Sequence, residues 1–238
     1  MPVEVLRFSS PTLLAEAAAT AWMDAAANRP PDTGSYTVAL SGGRIARTFF
    51  QAVLREPRAR LLLARPVHFF WADERCVPPE HPDSNYGLAR RELLEPLGVP
   101  DERVHRWRGE LPPDQAVLLA AQELAAVVPA RVHGVPRLDL VLLGMGEDGH
   151  VASLFPHMEV RHADPARLCL HVLGAKPPPD RLTLNFSVLA AARDTWVLVS
   201  GPGKESTLRR ALGGDPTLPL GKLLLTKPTT KIYTDLPV

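Results

Sequence analysis

His150 is the residue of this sequence best suited to moving a proton near neutral pH. It stands in the stretch LGMGEDGHVASLFP, from Leu143 to Pro156, two residues after Asp148. Imidazole has the unperturbed pKa nearest neutrality, and a nearby carboxylate fixes its tautomer and orientation, so Asp148-Gly149-His150 suits general-base work. An isolated Asp-Gly-His is more often structural, with Asp148 supporting a turn and His150 capping a short helix. The same stretch contains a literal G-x-G-x-x-G through Gly144, Gly146 and Gly149. A dinucleotide fingerprint needs a long helix after the glycines and an acidic residue closing the next strand about 20 residues on. Pro156 cuts the segment short, and Asp164, within RHADPARL, does not read as a strand end. The nucleotide reading fails on context.

Three further clusters bear on anions. Ser41-Gly42-Gly43 is on its own a strand-to-helix turn. With a helix starting near Arg44 it becomes a cradle in which backbone N–H groups and the positive end of the helix dipole meet a phosphate. No GK[ST] follows, which excludes an ordinary P-loop and points to a monophosphate rather than a nucleoside triphosphate. Asp73-Glu74-Arg75 has the composition of a solvated turn, yet it directly follows an apolar run, and the planar fork of Arg75 grips oxyanions. In the segment that follows, HPDSNYGLARRELLEPL, Asp83, Ser84 and Asn85 are candidate N-caps that also face the crevice, and His81 has the setting of an exposed loop residue. Arg181 follows a proline cluster. Lys204 opens the helical segment GKESTLRRAL, where its charge opposes the helix dipole unless an anion lies between them.

The elements that must position these residues are short apolar runs: YTVAL (36–40), VHFFW (67–71), LDLVLL (138–143) and TWVLVS (195–200), separated by segments of helical period. Near-continuous hydrophobicity in short runs marks strands buried on both faces, hence a parallel sheet sandwiched by helices. In such a sheet the carboxyl ends of the strands share one edge, where ligands bind. Four of the polar clusters directly follow the four runs, so they converge on one site. That coincidence outweighs any single motif.

The whole chain sets outer limits. Its 238 residues are 45% hydrophobic with a formal net charge of +1, enough for a sizeable core and without the cationic face that nucleic acid or an anionic membrane needs. Cys76 and Cys169 match neither a disulfide scaffold nor a zinc spacing, which fits a reduced, cytoplasmic setting. The alanine-rich LLAEAAATAWMDAAA is interrupted by Glu16 and Asp24 and reads as an amphipathic helix, not a signal peptide. The 25 prolines cluster at joints such as Pro30-Pro31, Pro78-Pro79, Pro112-Pro113 and Pro177 to Pro179, and no internal repeat or long linker argues for a second domain.

Taken in order, Ser41-Gly42-Gly43, WADERCVPPEHPDSNYGLARRELL (71–94), LDLVLLGMGEDGHVASLFP (138–156), RLTLNF (181–186) and GPGK (201–204) resemble the 6-phosphogluconolactonase family, within the larger group that includes glucosamine-6-phosphate deaminases and isomerases. The resemblance spans nearly the whole chain. It implies one domain over residues 1–238 with an α/β, Rossmann-like three-layer sandwich and a mostly parallel sheet. It also implies no metal or organic cofactor, and hydrolysis of 6-phospho-D-glucono-1,5-lactone in the oxidative pentose phosphate pathway. Carried over residue by residue, His150 is the base that activates water, Asp148 supports it and Arg75 contacts the substrate. Ser41, Gly42, Gly43, Arg181 and Lys204 hold the phosphate, and Arg44, Asp73, Gly144 and Gly146 complete the candidate binding set. The expected partner is a small sugar-phosphate lactone, bound by a monomer, with a homodimer as the alternative.

Deaminases resemble DEY and DGHIAFNEP where this chain has Asp73-Glu74-Arg75 and Asp148 to Pro156. Ring opening and isomerisation need the added glutamate, whereas lactone hydrolysis needs an activated water and a stabilised oxyanion. A deaminase or isomerase, and a non-catalytic sugar-phosphate sensor, are the alternatives. The chain departs from the family at Arg44-Ile45-Ala46, where the usual pattern carries hydroxyl residues and a proline.

Overall fold

The computed structural model describes residues 3–28, 34–60 and 66–238; the Pro30-Pro31 joint lies outside them. The first half of the chain runs β1 (Glu4–Arg7), α1 (Pro11–Ala27), β2 (Tyr36–Leu40), α2 (Arg44–Arg55), β3 (Val67–Trp71), β4 (Asp73–Arg75) and α3 (Asn85–Ala89). A π-helical turn (Arg90–Leu94), α4 (Glu95–Leu97), a 3-10 turn (Asp101–Arg103) and α5 (Pro113–Val127) follow. Then come β5 (Arg131–Val132), β6 (Val135–Pro136), β7 (Leu140–Gly144), β8 (Val160–Ala163), β9 (Cys169–Leu173) and β10 (Asp180–Leu184). The chain closes with α6 (Phe186–Ala191), β11 (Asp194–Val199), α7 (Glu205–Leu212), α8 (Pro219–Thr226) and β12 (Lys231–Thr234).

Among the described residues the main sheet has six strands in the order β1-β12-β11-β7-β2-β3, and every neighbouring pair in it is parallel. This is the Rossmann-like α/β architecture expected of the four apolar runs. YTVAL and VHFFW become β2 and β3 end to end, and β2 is buried along its whole length. LDLVLL enters its strand two residues late, at Leu140. The reason is Asp139, a buried carboxylate whose Oδ2 accepts from the Thr37 main-chain N–H and hydroxyl, both at 2.9 Å. That bond locks the start of β7 to β2 and sets the level at which both strands reach the ligand edge.

The N-terminal run forms α1, capped by the Ser10 hydroxyl, which accepts from Leu13 N. Its buried stripe, including Leu14, Ala18, Trp22 and Ala26, faces α2 and the sheet. Trp22 packs against Phe49 of α2 and edge-on against Phe69 of β3, with ring centroids 5.8 and 6.3 Å apart. Fully buried rings of this size make the largest apolar contribution to such a core.

A second sheet, β4-β10-β9-β8, is antiparallel throughout and packs on α5. It decides between two readings of one segment and corrects another. Asp73-Glu74-Arg75 is a strand of this sheet, not a solvated turn, with Asp73 6% and Glu74 2% exposed. Asp164 does close a strand, following β8, where its carboxylate accepts from Cys169 N. Because β8 belongs to the antiparallel sheet, Asp164 lies off the ligand edge, and the dinucleotide reading is not restored. After His150 the chain forms turns and isolated bridges where a short helix was the structural alternative.

Candidate active site

The four loops at the carboxyl ends of β2, β3, β7 and β11, with β4 and β10 as a side wall, enclose a cavity of about 400 Å³. The candidate catalytic and binding residues named in the sequence line it: Ser41, Gly42, Gly43, Arg44, Asp73, Arg75, Gly144, Gly146, Asp148, His150, Arg181 and Lys204; of Asp83, Ser84 and Asn85, expected to face the crevice, Asn85 alone does. Parallel topology brings them together, since each follows a strand that ends at one edge.

The β7 loop is shaped around His150. Gly146 N donates to His150 O at 2.9 Å, and Gly149 turns with a φ of +82°, a conformation that favours glycine. At Gly146 a side chain has no room, because a Cβ there would lie 2.1 Å from the imidazole. Asp148 Oδ1 meets His150 Nδ1 at 2.5 Å and also accepts from His150 N. A carboxylate on Nδ1 makes that nitrogen the N–H donor, which leaves Nε2 as the basic nitrogen available to a ligand. Burial raises the Asp148 carboxyl, but the hydrogen bonds and charge of His150 outweigh it and hold it below the usual carboxylate range. The Phe155 ring, 4.7 Å from the imidazole, covers one side of it. Leu220 N donates to Gly149 O, and the Thr207 hydroxyl to Glu147 O, so α8 and α7 hold the loop from outside.

Strand alternation puts Asp73 and Arg75 on the cavity side of β4 and Glu74 on the other. Asp73 Oδ2 accepts from the Ser153 hydroxyl at 2.7 Å, and its Oδ1 and main-chain carbonyl accept from Asn85 Nδ2. Glu74 gathers four donors: the main-chain N–H groups of Arg75, Asn85 and Tyr86, each at 2.7 Å, and the Ser84 hydroxyl at 3.0 Å. Burial pushes the Glu74 carboxyl up, and those bonds hold it partly back. Ser84 also caps α3 by accepting from Gly87 N. Asn85 lies so close over the first loop that a Cβ at Gly42 would fall 1.9 Å from its Oδ1.

The cations fall into two neighbourhoods. Lys204 caps α7 with no side-chain bond. Burial and then the charge of Arg44 pull its pKa down, while Glu147 and Asp235 push it back. Arg44 opens α2, whose N-cap, Gly43, supplies no side chain. Two helix starts thus face the cavity without side-chain caps, and the Ser41 hydroxyl beside them is buried and unpartnered. Arg181 lines the side wall formed by β10. Burial and the Arg75 charge lower its pKa, with Asp73, Asp83 and Glu74 acting against them.

The sequence reading did not single out Glu74, Ser153, Phe155 or Lys176. Ser153 and Phe155 lie inside the quoted motif, but their contacts with Asp73 and His150 are tertiary. His81 stays away from the cavity, with its Nδ1 accepting from Asp83 N. Among the described residues no group of three or more His, Cys, Asp or Glu side chains is placed to hold a metal ion, and no helix is long and apolar enough to cross a membrane.

Residues 9–232 match the model of the family described as glucosamine-6-phosphate isomerases/6-phosphogluconolactonase. The 6-phosphogluconolactonase of Treponema pallidum is 38% identical over 179 residues, covering 75% of this chain and 73% of that protein. The 6-phosphogluconolactonase of Streptomyces coelicolor is 36% identical over 210 residues, covering 85% and 80%. The solved structure of 6-phosphogluconolactonase from Trypanosoma brucei superposes with a TM-score of 0.84 at 26% identity, covering 98% of this chain and 96% of that one.

Proposed function

This chain belongs to the family of glucosamine-6-phosphate isomerases and 6-phosphogluconolactonases, and on that premise we propose that it hydrolyses 6-phospho-D-glucono-1,5-lactone to 6-phospho-D-gluconate, acting as one domain over its length. The observation that carries this reading is the His150–Asp148 pair, bonded at 2.5 Å in a cavity also lined by Arg44, Arg75, Arg181 and Lys204. Relatives of 38% and 36% identity bear the lactonase name.

The phosphate binds at the starts of α2 and α7, where Ser41, Gly42 and Gly43 offer main-chain and hydroxyl donors and Arg44 and Lys204 supply charge. Arg44 takes over from the hydroxyl residues of the usual family pattern. Binding energy from this remote group then orients the lactone carbonyl beside His150. Nε2 of His150 accepts a proton from the attacking water, and Asp148 stabilises the imidazolium that forms. Arg75, on the side wall of the same cavity, stabilises the tetrahedral oxyanion. Phe155 occupies the position at which a deaminase would need its added acid, so the pocket holds no carboxylate there to drive ring opening of an amino sugar.

His150→Ala tests the reading. With freshly generated lactone, corrected for spontaneous opening, kcat should fall by at least about a hundredfold while KM changes little. Near-normal turnover by the variant would remove His150 from the mechanism.

A further inference from the structure

Two polar or main-chain contacts hold the imidazole of His150, and both fall on one edge of it. Asp148 Oδ1 meets Nδ1 at 2.5 Å, and the main chain at Gly146 lies so near that a Cβ there would stand 2.1 Å from Cε1 and 2.2 Å from Nδ1. A hydrogen bond holds one atom; the plane of the ring, and with it the direction of the Nε2 lone pair, needs a further contact. Phe155 supplies it, with the ring centroids 4.7 Å apart and the planes tilted by 55°.

Phe155 is itself fixed at both ends. On the chain side, the Ser153 hydroxyl donates to Asp73 Oδ2 at 2.7 Å, Ser153 N donates to the Thr183 hydroxyl at 3.2 Å, and Leu154 is fully buried. Pro156 follows directly, and the residue before a proline favours extended backbone. At the far edge of the ring, Cζ and Cε2 lie 3.1 and 3.2 Å from where a Cβ of Gly174 would stand. Gly174 opens the loop that joins β9 to β10, its N–H closes that loop by donating to Pro179 O at 2.7 Å, and Ala175 and Lys176 of the same loop line the cavity. Gly174 is not among the glycines of positive φ, so its backbone would accept alanine, and what glycine provides there is space. An added methyl would press on Phe155 first, since the next nearest atom, Arg181 Nε, is 3.5 Å away, an ordinary contact.

We propose that Phe155 is a positioning residue for His150 and that Gly174 sets its place, so that one aromatic ring couples the β9–β10 loop to the general base. For the reaction this rests on the lactonase reading above; the contact itself does not. Moving an oriented base by about 1 Å costs up to about 100-fold in rate, so a small displacement of the ring is read in kcat. Phe155 offers no polar atom to a ligand, which keeps the effect off KM.

Initial rates on fresh lactone for Phe155→Ala, Phe155→Leu, Gly174→Ala and Gly174→Ala/Phe155→Leu test the coupling. They are paired with NMR spectra of the histidine ring protons, in which His150 is assigned by its absence from His150→Ala. Phe155→Ala should lose about 10- to 100-fold in kcat with KM within about threefold of wild type. Phe155→Leu, which still fills the space beside the imidazole, should keep both constants within about threefold. Gly174→Ala should lose at least about fivefold in kcat and displace the His150 resonances, and in the leucine background it should do neither, because leucine has no atom at the Cζ position. Wild-type kcat in Phe155→Ala, a loss borne by KM alone, or an equal effect of Gly174→Ala in both backgrounds would overturn the proposal. If Phe155→Ala does not fold, the two Gly174→Ala comparisons decide. His150 resonances displaced by Gly174→Ala only when Phe155 is present, in a chain that hydrolyses no lactone, would uphold the coupling and overturn the lactonase reading alone.

Discussion

Asp148→Asn isolates the charge of the carboxylate that orients His150. Asparagine has nearly the same shape, and its Oδ1 still accepts from His150 N, so what disappears is the negative charge 2.5 Å from Nδ1. A hydrogen bond to a charged group contributes about 1.5 to 3 kcal/mol, which corresponds to about 10- to 150-fold in rate if it acts on the imidazolium of the transition state. The pair is partly solvated, with side-chain exposures of 31% for His150 and 48% for Asp148. Solvent screening favours the lower part of that range, so kcat should fall about 10- to 50-fold. KM should change less than about threefold, because Asp148 belongs to neither cationic pair and binds no substrate charge.

The assay is initial-rate hydrolysis of fresh lactone by wild type, Asp148→Asn, His150→Ala and the double variant, with the spontaneous rate subtracted. If Asp148 acts through His150, the double variant is no slower than His150→Ala alone. Wild-type kcat in Asp148→Asn, or losses that multiply in the double variant, would refute the orienting role. The pH behaviour of stability has a definite sign. The folded Asp148 carboxyl lies below its unfolded value, so its contribution is present above the ordinary carboxylate range and is lost as pH falls through the folded value.

Lys204→Ala and Arg44→Ala should each raise KM for the phosphorylated lactone while leaving turnover of plain gluconolactone similar; equal losses on both substrates would take these residues off the phosphate. Gly42→Ala should impair phosphate binding and lower Tm, because the added methyl collides with the Asn85 side chain, and pairing it with Asn85→Ala should restore part of both. A histidine pair outside the cavity lining gives a stability prediction. His68 Nδ1 lies 2.7 Å from His105 Nε2, and His105 Nδ1 lies 2.8 Å from Glu123. Burial, then the charges of His105 and Arg103, lower the His68 pKa. Stability should therefore be full above the ordinary imidazole value of about 6.5 and decline as pH falls toward the folded value, and His68→Asn should flatten that decline in pH-dependent melting.

The parallel sheet was legible because strands buried on both faces leave unbroken apolar runs, as in YTVAL. The antiparallel sheet was not. Its edge strand β8, VRHA, is exposed at every residue, and β4 is three charged residues whose burial depends on partners ten or more positions away. The composition of Asp73-Glu74-Arg75 argues for solvent; only the fold supplies the four donors around Glu74. The cavity residues were legible through topology, since loops after parallel strands must meet. Their pairing was not, because the opposition of Arg75 and Arg181 is a matter of register between strands more than a hundred positions apart.

Glu74 accounts for how an opposed pair of arginines is tolerated in the wall. Its carboxylate fastens the start of α3 to the back of β4, so the strand that presents Asp73 and Arg75 is held from the face away from the cavity. The same fastening sets Asn85 over Gly42 and so couples the side wall to the phosphate loop. Apolar packing alone would tolerate small sliding of β4, since dispersion is weakly directional, whereas four converging hydrogen bonds fix both position and angle. An apolar residue of similar size at position 74 would leave three main-chain N–H groups and the Ser84 hydroxyl without their acceptor, each a penalty in a buried site. The structure thus places a four-donor polar network directly behind the strand that carries Arg75, which keeps that guanidinium fork in place at the cavity wall.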